Sequence, residues 1–183
     1  MKPRGLLIAN PNATSTSPGM RDVITRALGH ELDLEVVTTT HRGHAERLGA
    51  DAHGLDLLIT LGGDGTINEA VNGMLNSGQT DLPMLATIPG GSANVMARAL
   101  GFPNDAIVAT GMILESLRTD ASHDVGLGNA RFTPVGADEE RSQWFTINAG
   151  VGIDADVVAS MEAQRAAGRG VSGTRYAWTA TQE

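Results

Sequence analysis

A chain of 183 residues that is 41% hydrophobic, with a mean hydropathy of -0.08, has room for one α/β domain and part of a second, and is too apolar for a disordered chain. A formal charge of -8 and a pI near 5.0, with no basic stripe along the chain, argue against nonspecific nucleic-acid binding, which depends on clustered Lys and Arg. The lack of cysteine removes disulfides, thiolate metal sites and a thiol nucleophile, and fits a reducing, cytoplasmic compartment.

Residues 5–9 form a short apolar run closed by Asn10-Pro11, which predicts a buried strand ending in a turn. Met20, Val23, Ile24, Ala27 and Leu28 recur at helical spacing, with Gly29 where that helix is expected to stop. Residues 34–38 predict a second strand and 44–52 a short helix. Residues 55–61 are apolar on both faces, as a strand of a parallel sheet requires. Gly62-Gly63-Asp64-Gly65 break that strand. Ile67, Ala70, Val71, Met74 and Leu75 then follow the spacing of a helix opening at about Thr66.

The same grammar repeats at the strand 84–88, the turn Pro89-Gly90-Gly91-Ser92, and a helix carrying Ala93, Met96, Ala97 and Leu100, ended by Gly101 and Pro103. A further helical stretch lies within 106–117. Strands alternating with helices over residues 1–120 imply an α/β fold with a doubly wound parallel sheet, whose ligands bind at the carboxyl ends of the strands. Both glycine turns fall there.

After residue 120 the pattern changes. Residues 124–128, 131–135 and 143–148 read as short antiparallel strands, followed by a helical run over 155–167 and a loop over 168–173. Residues 121–183 are thus expected to begin a β-rich second domain, and are too few for a two-sheet sandwich of about 100 residues. A partial sheet presents unpaired edges and invites association into a homodimer. The longest apolar run, 55–61, falls far short of the roughly 20 residues that cross a bilayer, and MKPRGLLIAN has no signal-peptide hydrophobic region. Membrane contact is expected to be peripheral.

Glycines without Cβ let main-chain amides approach a phosphate, and a helix N-terminus adds unpaired N–H donors. Asp64 is the odd member of its turn, because a carboxylate beside phosphates is repulsive unless it faces Mg²⁺ or accepts a hydrogen bond. Alone, a GGxG after a strand reads as a tight βα turn. The second turn adds another glycine pair and the hydroxyl of Ser92, so two loops could grip one polyphosphate. No GxxxxGK[ST] loop occurs.

GGDGTINEAVNGM from Gly62, IPGGSANVMARALG from Ile88, LLIANPNA from Leu6 and FTINAGVGIDADVV from Phe145 together resemble the catalytic domain of bacterial diacylglycerol kinases and eukaryotic sphingosine kinases. The resemblance implies Mg²⁺-dependent transfer of the ATP γ-phosphoryl group to a lipid hydroxyl at a membrane surface. It places Gly62, Gly63, Asp64, Gly65, Thr66, Ile67, Asn68 and Glu69 against ATP, with Gly90, Gly91 and Ser92 in the second loop and Asn10 and Thr39 beside the nucleotide, Thr38 and Thr40 being the alternatives to Thr39 in that register. It makes Asp64 the metal ligand and a catalytic carboxylate, and puts Asp124 of the His-Asp-Val-Gly run in the same network. Val95 stands where many bacterial members carry aspartate. The family's second domain supplies the lipid cavity, further acidic metal-site residues and a carboxylate base, so this chain is expected to bind nucleotide and by itself to transfer nothing. The rival enzyme is an NAD kinase, which shares GGDGT. The rival without activity is a nucleotide-binding module.

GxGxxA at Gly150, Gly152 and Ala155 comes outside the alternating region and reads as close packing. His30, His41, His44, His53 and His123 lack metal-ligand spacing.

Overall fold

The computed structural model describes residues 1–13, 17–150, 155, 156, 158–160 and 163. The chain divides into two units, Met1–Ile147 and Asn148–Glu183. In the second unit the described residues 155, 156, 158–160 and 163 are helical. The rest of the helix expected over 155–167, and the loop at 168–173, lie outside the described residues.

The first unit runs β1 (Arg4–Ala9), α1 (Pro18–Glu31), β2 (Asp33–Thr38), α2 (His44–Ala50), β3 (Leu57–Gly62), α3 (Asp64–Asn76), β4 (Met84–Pro89), α4 (Val95–Ala99), α5 (Ala106–Thr119), β5 (Gly128–Phe132) and β6 (Arg141–Phe145). The first four strands pair in parallel in the order β2-β1-β3-β4. The chain therefore steps from β1 to one side and then crosses to the other. The switch falls between β1 and β3, where the carboxyl ends of an open parallel sheet leave a crevice.

Alternation along the strands feeds two cores. Leu7, Ala9, Ile59, Leu61 and Ile88 face Ile24 and Leu28 of α1 and Ala106 and Ile113 of α5. Leu6, Ile8 and Leu58 face Ala45 of α2 and Ala70 and Met74 of α3. Helices cover both faces, and all six residues of β3 are buried, as its continuous apolar run predicts. On the second face α2 and α3 pack with almost no separation. A β-carbon at Gly49 would run into the carbonyl of Ala70, and one at Gly73 into that of Glu46.

Several element ends shift by one or two residues from the sequence reading, with β3 taking in Gly62 and beginning at Leu57 and not at 55, and α2 ending at Ala50 and not at 52; three further differences have a local physical cause. Helix α1 continues through Gly29 to Glu31, because Leu32 beyond it is 2% exposed and joins the same core as Leu28. A glycine inside a helix costs only about 1 kcal/mol, less than burying a leucine contributes. Helix α3 opens at Asp64 and not Thr66, because the Gly63 carbonyl accepts from the N–H groups of both Thr66 and Ile67 and closes the first turn early. Among the described residues beyond α5 there are two strands where three were expected. Residues 121–127 find no ladder partner, and pairing begins at Gly128, where a β-carbon would collide with the Phe145 ring opposite.

Candidate functional site

The carboxyl ends of β1, β3 and β4 lead into loops that are tied to one another. Asn10 follows β1; its main-chain N–H donates to the Leu61 carbonyl at 2.9 Å and its Nδ2 to Thr66 Oγ1 at 3.0 Å. Its Oδ1 accepts from the Asn12 N–H at 2.9 Å. The main chain of Gly90 donates to the Gly62 carbonyl at 2.8 Å, joining the two glycine turns directly. A β-carbon on Gly91 would lie 2.7 Å from the Cα of Gly63, and one on Gly90 would lie 3.1 Å from the Cα of Gly62. The contact of one turn with the other demands glycine at position 91, while a β-carbon at position 90 would also press on the Ala13 side chain at 2.9 Å.

The second turn is held from within by Asn94, which sequence reasoning did not single out. Its side chain is 0% exposed and it sits at φ 48, in the left-handed region that asparagine tolerates. Its Oδ1 accepts from the Gly91 N–H at 2.9 Å, while Nδ2 donates to the Gly91 carbonyl at 2.7 Å and to Asn104 Oδ1 at 2.6 Å. The signal in the sequence was an asparagine between a glycine pair and a helix, where the left-handed residue stands immediately before the first residue of α4.

Asp64 is the first residue of α3 and is half-buried. Its Oδ1 accepts from the Met96 N–H at 2.9 Å, so this carboxylate caps α4 and ties the first turn to the element after the second. Among the described residues its Oδ2 takes no hydrogen bond. Val95 is exposed beside this contact. The main-chain N–H groups of Asp64 and Gly65 have no partner among the described residues, as the first turn of a helix leaves them. Gly65 is exposed, and a β-carbon there would meet nothing within 4 Å. The protein's own packing does not explain that glycine.

The other expected residues divide. Thr66 is buried with its hydroxyl engaged by Asn10, and Thr39 is buried at the end of β2, its N–H donating to the Ala9 carbonyl at 2.9 Å. The Ile67 side chain lies in a core with Val71 and Met96, so only its main chain can face a ligand. Asn68 and Glu69 are half-buried and Ser92 is exposed. Asp124 is exposed on the segment 121–127 and lines a cavity of about 670 Å³ beside β4, together with Met84 and Leu100. Asp64 does not line that cavity, and no hydrogen bond or ion pair joins the two carboxylates among the described residues.

For a divalent cation the fit is a narrow one. Among the described residues no three His, Asp or Glu side chains come together as a metal cluster. Mg²⁺ needs no such cluster when phosphates complete its shell, since one or two carboxylates suffice. Asp64, whose Oδ1 is taken by the Met96 N–H and whose Oδ2 has no hydrogen bond among the described residues, could supply one such carboxylate.

The pattern described as the diacylglycerol kinase catalytic domain matches residues 4–129, the whole parallel sheet and its helices. The chain belongs to that family. Within the diacylglycerol kinase family it is 35% identical over 130 residues to the "Probable lipid kinase YegS-like" of Stenotrophomonas maltophilia (strain K279a), covering 65% of this chain and 42% of the relative. It is 43% identical over 77 residues to the diacylglycerol kinase of Staphylococcus aureus (strain JH9), covering 42% of this chain and 23% of that one. A crystal structure of a diacylglycerol kinase from Bacillus anthracis str. Sterne superposes with a TM-score of 0.57 at 33% identity, covering 62% of this chain and 42% of that one. This chain thus matches less than half the length of each relative. Among the described residues of this diacylglycerol kinase catalytic domain, no helix is long and apolar enough to cross a membrane.

Proposed function

We propose that this chain binds ATP across the carboxyl ends of β1, β3 and β4 and supplies the nucleotide side of phosphoryl transfer to a lipid hydroxyl. The observation that carries the reading is Gly65. It stands exposed in the first turn of α3 beside unpartnered N–H groups, with open space where its side chain would be. A helix N-terminus with that geometry stabilises a phosphate through main-chain donors and the helix dipole. The contact between Gly63 and Gly91 supports placing both glycine turns on the same polyphosphate.

Phosphoryl transfer asks a protein for alignment and charge neutralisation more than for covalent chemistry. The lipid oxygen bonds to the γ-phosphorus as the bond to the bridging oxygen breaks; ADP leaves with that electron pair and the hydroxyl proton passes to a base. We assign no base among the described residues. The N–H groups of Asp64 and Gly65 hold phosphate oxygens, Asn94 keeps the second turn pressed on the first, and Asn10 fixes Thr66. Mg²⁺, when bound, would offset charge on the β and γ oxygens, and Asp64 Oδ2 is the group we assign to it. Thr39 and Ser92 flank the nucleotide in this reading. Asp124 enters only through the family resemblance.

Calorimetric titration with ATP tests the proposal, run with Mg²⁺ and again with excess chelator. Saturable binding strengthened by Mg²⁺ is expected, with no comparable binding of NAD. Incubation with ATP and diacylglycerol vesicles is expected to yield no phosphatidic acid, because we assign this chain the nucleotide side alone. Failure of ATP to bind overturns the reading.

A further inference from the structure

Asn72 lies two turns after Asp64 on α3 and is 1% exposed although its side chain is a carboxamide. A buried carboxamide without partners is costly. Asn72 is fully partnered: Oδ1 accepts from the Trp144 main-chain N–H at 2.8 Å, and Nδ2 donates to the Trp144 carbonyl at 2.9 Å and to the Asn68 carbonyl at 2.8 Å. One turn on, Asn76 Oδ1 accepts from the Trp144 indole N–H at 3.1 Å.

Trp144 sits opposite Asn129 in the β5–β6 ladder, yet both of its main-chain groups turn away from β5, as at a non-hydrogen-bonded antiparallel pair. They would otherwise form a bare strand edge. The Asn72 carboxamide presents one acceptor and one donor to that edge, as a neighbouring strand would.

We propose that Asn72 is a positioning residue that docks the β5–β6 hairpin on α3, and that this docking steadies the helix whose first turn carries Asp64 and Gly65. The docking stands independently of the ATP reading; its effect on the site rests on it. Residues 65 and 72 lie about 10 Å apart along one rigid helix, close enough for loss of the anchor at one to loosen the other. The ionisable groups of the two elements, Asp64 and Glu69 on α3 and Arg131 and Arg141 in the hairpin, make no hydrogen bond to Asn72.

The chain has 2 tryptophans, so a Trp178→Phe background isolates Trp144. In that background Asn72→Leu fills the space without the hydrogen bonds. Exchange protection of the Trp144 amide is expected to fall about ten- to hundredfold, with stronger acrylamide quenching and unchanged helical circular dichroism. Asn72→Asp keeps the acceptor and loses the donor, and its carboxylate faces two carbonyls. Burial favours the protonated carboxyl, which donates again, so protection is expected to be low at about pH 8 and to recover towards about pH 5. A space-filling role gives no such profile. Unchanged protection in folded Asn72→Leu, or a pH-independent Asn72→Asp, overturns the docking; should the leucine variant not fold, the aspartate profile decides. ATP affinity is expected to weaken about threefold or more when the hairpin undocks. Unchanged affinity overturns the link to the site, whereas a wild-type chain that binds no ATP sinks the nucleotide reading and leaves the Trp144 result standing.

Discussion

At Gly91 a β-carbon would sit 2.7 Å from the Cα of Gly63, whereas at Gly65 it would meet no atom within 4 Å. The two glycines belong to consecutive turns at the same end of the sheet, and in sequence they look alike. The first is required by the fold, because two main chains pass where no side chain fits. The second is exposed, and a helix position without a side chain loses stability relative to alanine. The comparison separates the part of a glycine-rich motif that builds the crevice from the part left open to what enters it.

The largest effect expected from breaking this comparison is at Gly91. In Gly91→Ala the new methyl group meets main chain, which cannot rotate aside, and also lies 3.1 Å from Asn94 Oδ1. The turns must part, straining the hydrogen bond from Gly90 to Gly62. A loss of about 2 kcal/mol is expected in urea denaturation, as for overpacking of a filled interior, with weaker ATP binding as a consequence of the parted loops. If Gly91→Ala unfolds at the wild-type midpoint, the turns are not held against each other.

The alternation of apolar strands with 3.6-periodic helices made the parallel sheet legible, because burial on both faces writes a continuous run such as residues 57–62 directly into the chain. The ends of elements were less so. The stop of α1 depends on where Leu32 packs, which no local signal at Gly29 reveals. The two glycine turns could be read as a site, but not their mutual contact, since the contact joins residues 28 positions apart and is made by atoms every residue shares. Asn72 was hidden for the same reason: its partner Trp144 lies 72 residues on and is met through main-chain groups. Asp64 drew attention as a charge among phosphate-type glycines, and its cap on Met96 supplies a structural duty that the motif does not display.

That double duty gives the second prediction. Asp64→Asn retains a carbonyl oxygen for the Met96 N–H, so the cap survives and only its charge is lost near two helix N-termini, worth about 0.3–1 kcal/mol. Thermal stability should therefore change little. The enhancement of ATP binding by Mg²⁺ should disappear, because a neutral amide is a far poorer ligand for a hard cation. A variant whose ATP affinity still rises with Mg²⁺ as in the wild type would remove Asp64 from the metal site and leave it as a cap.

The smallest loss of stability, none at all, is expected at Gly65, and it sharpens the contrast most. In Gly65→Ala the methyl group enters open space within a helix, so folding should be unchanged or strengthened by about 0.5–1 kcal/mol through the smaller entropy of the unfolded chain. ATP affinity should nevertheless drop by about tenfold or more, equivalent to about 1.4 kcal/mol, because the methyl group stands beside the N–H groups that a phosphate must reach. The two readouts move in opposite directions only if the missing side chain serves a ligand. A stabilised Gly65→Ala that binds ATP as tightly as the wild type would mean that the nucleotide approaches elsewhere along the crevice, and the first turn of α3 would then be a packing device like its partner.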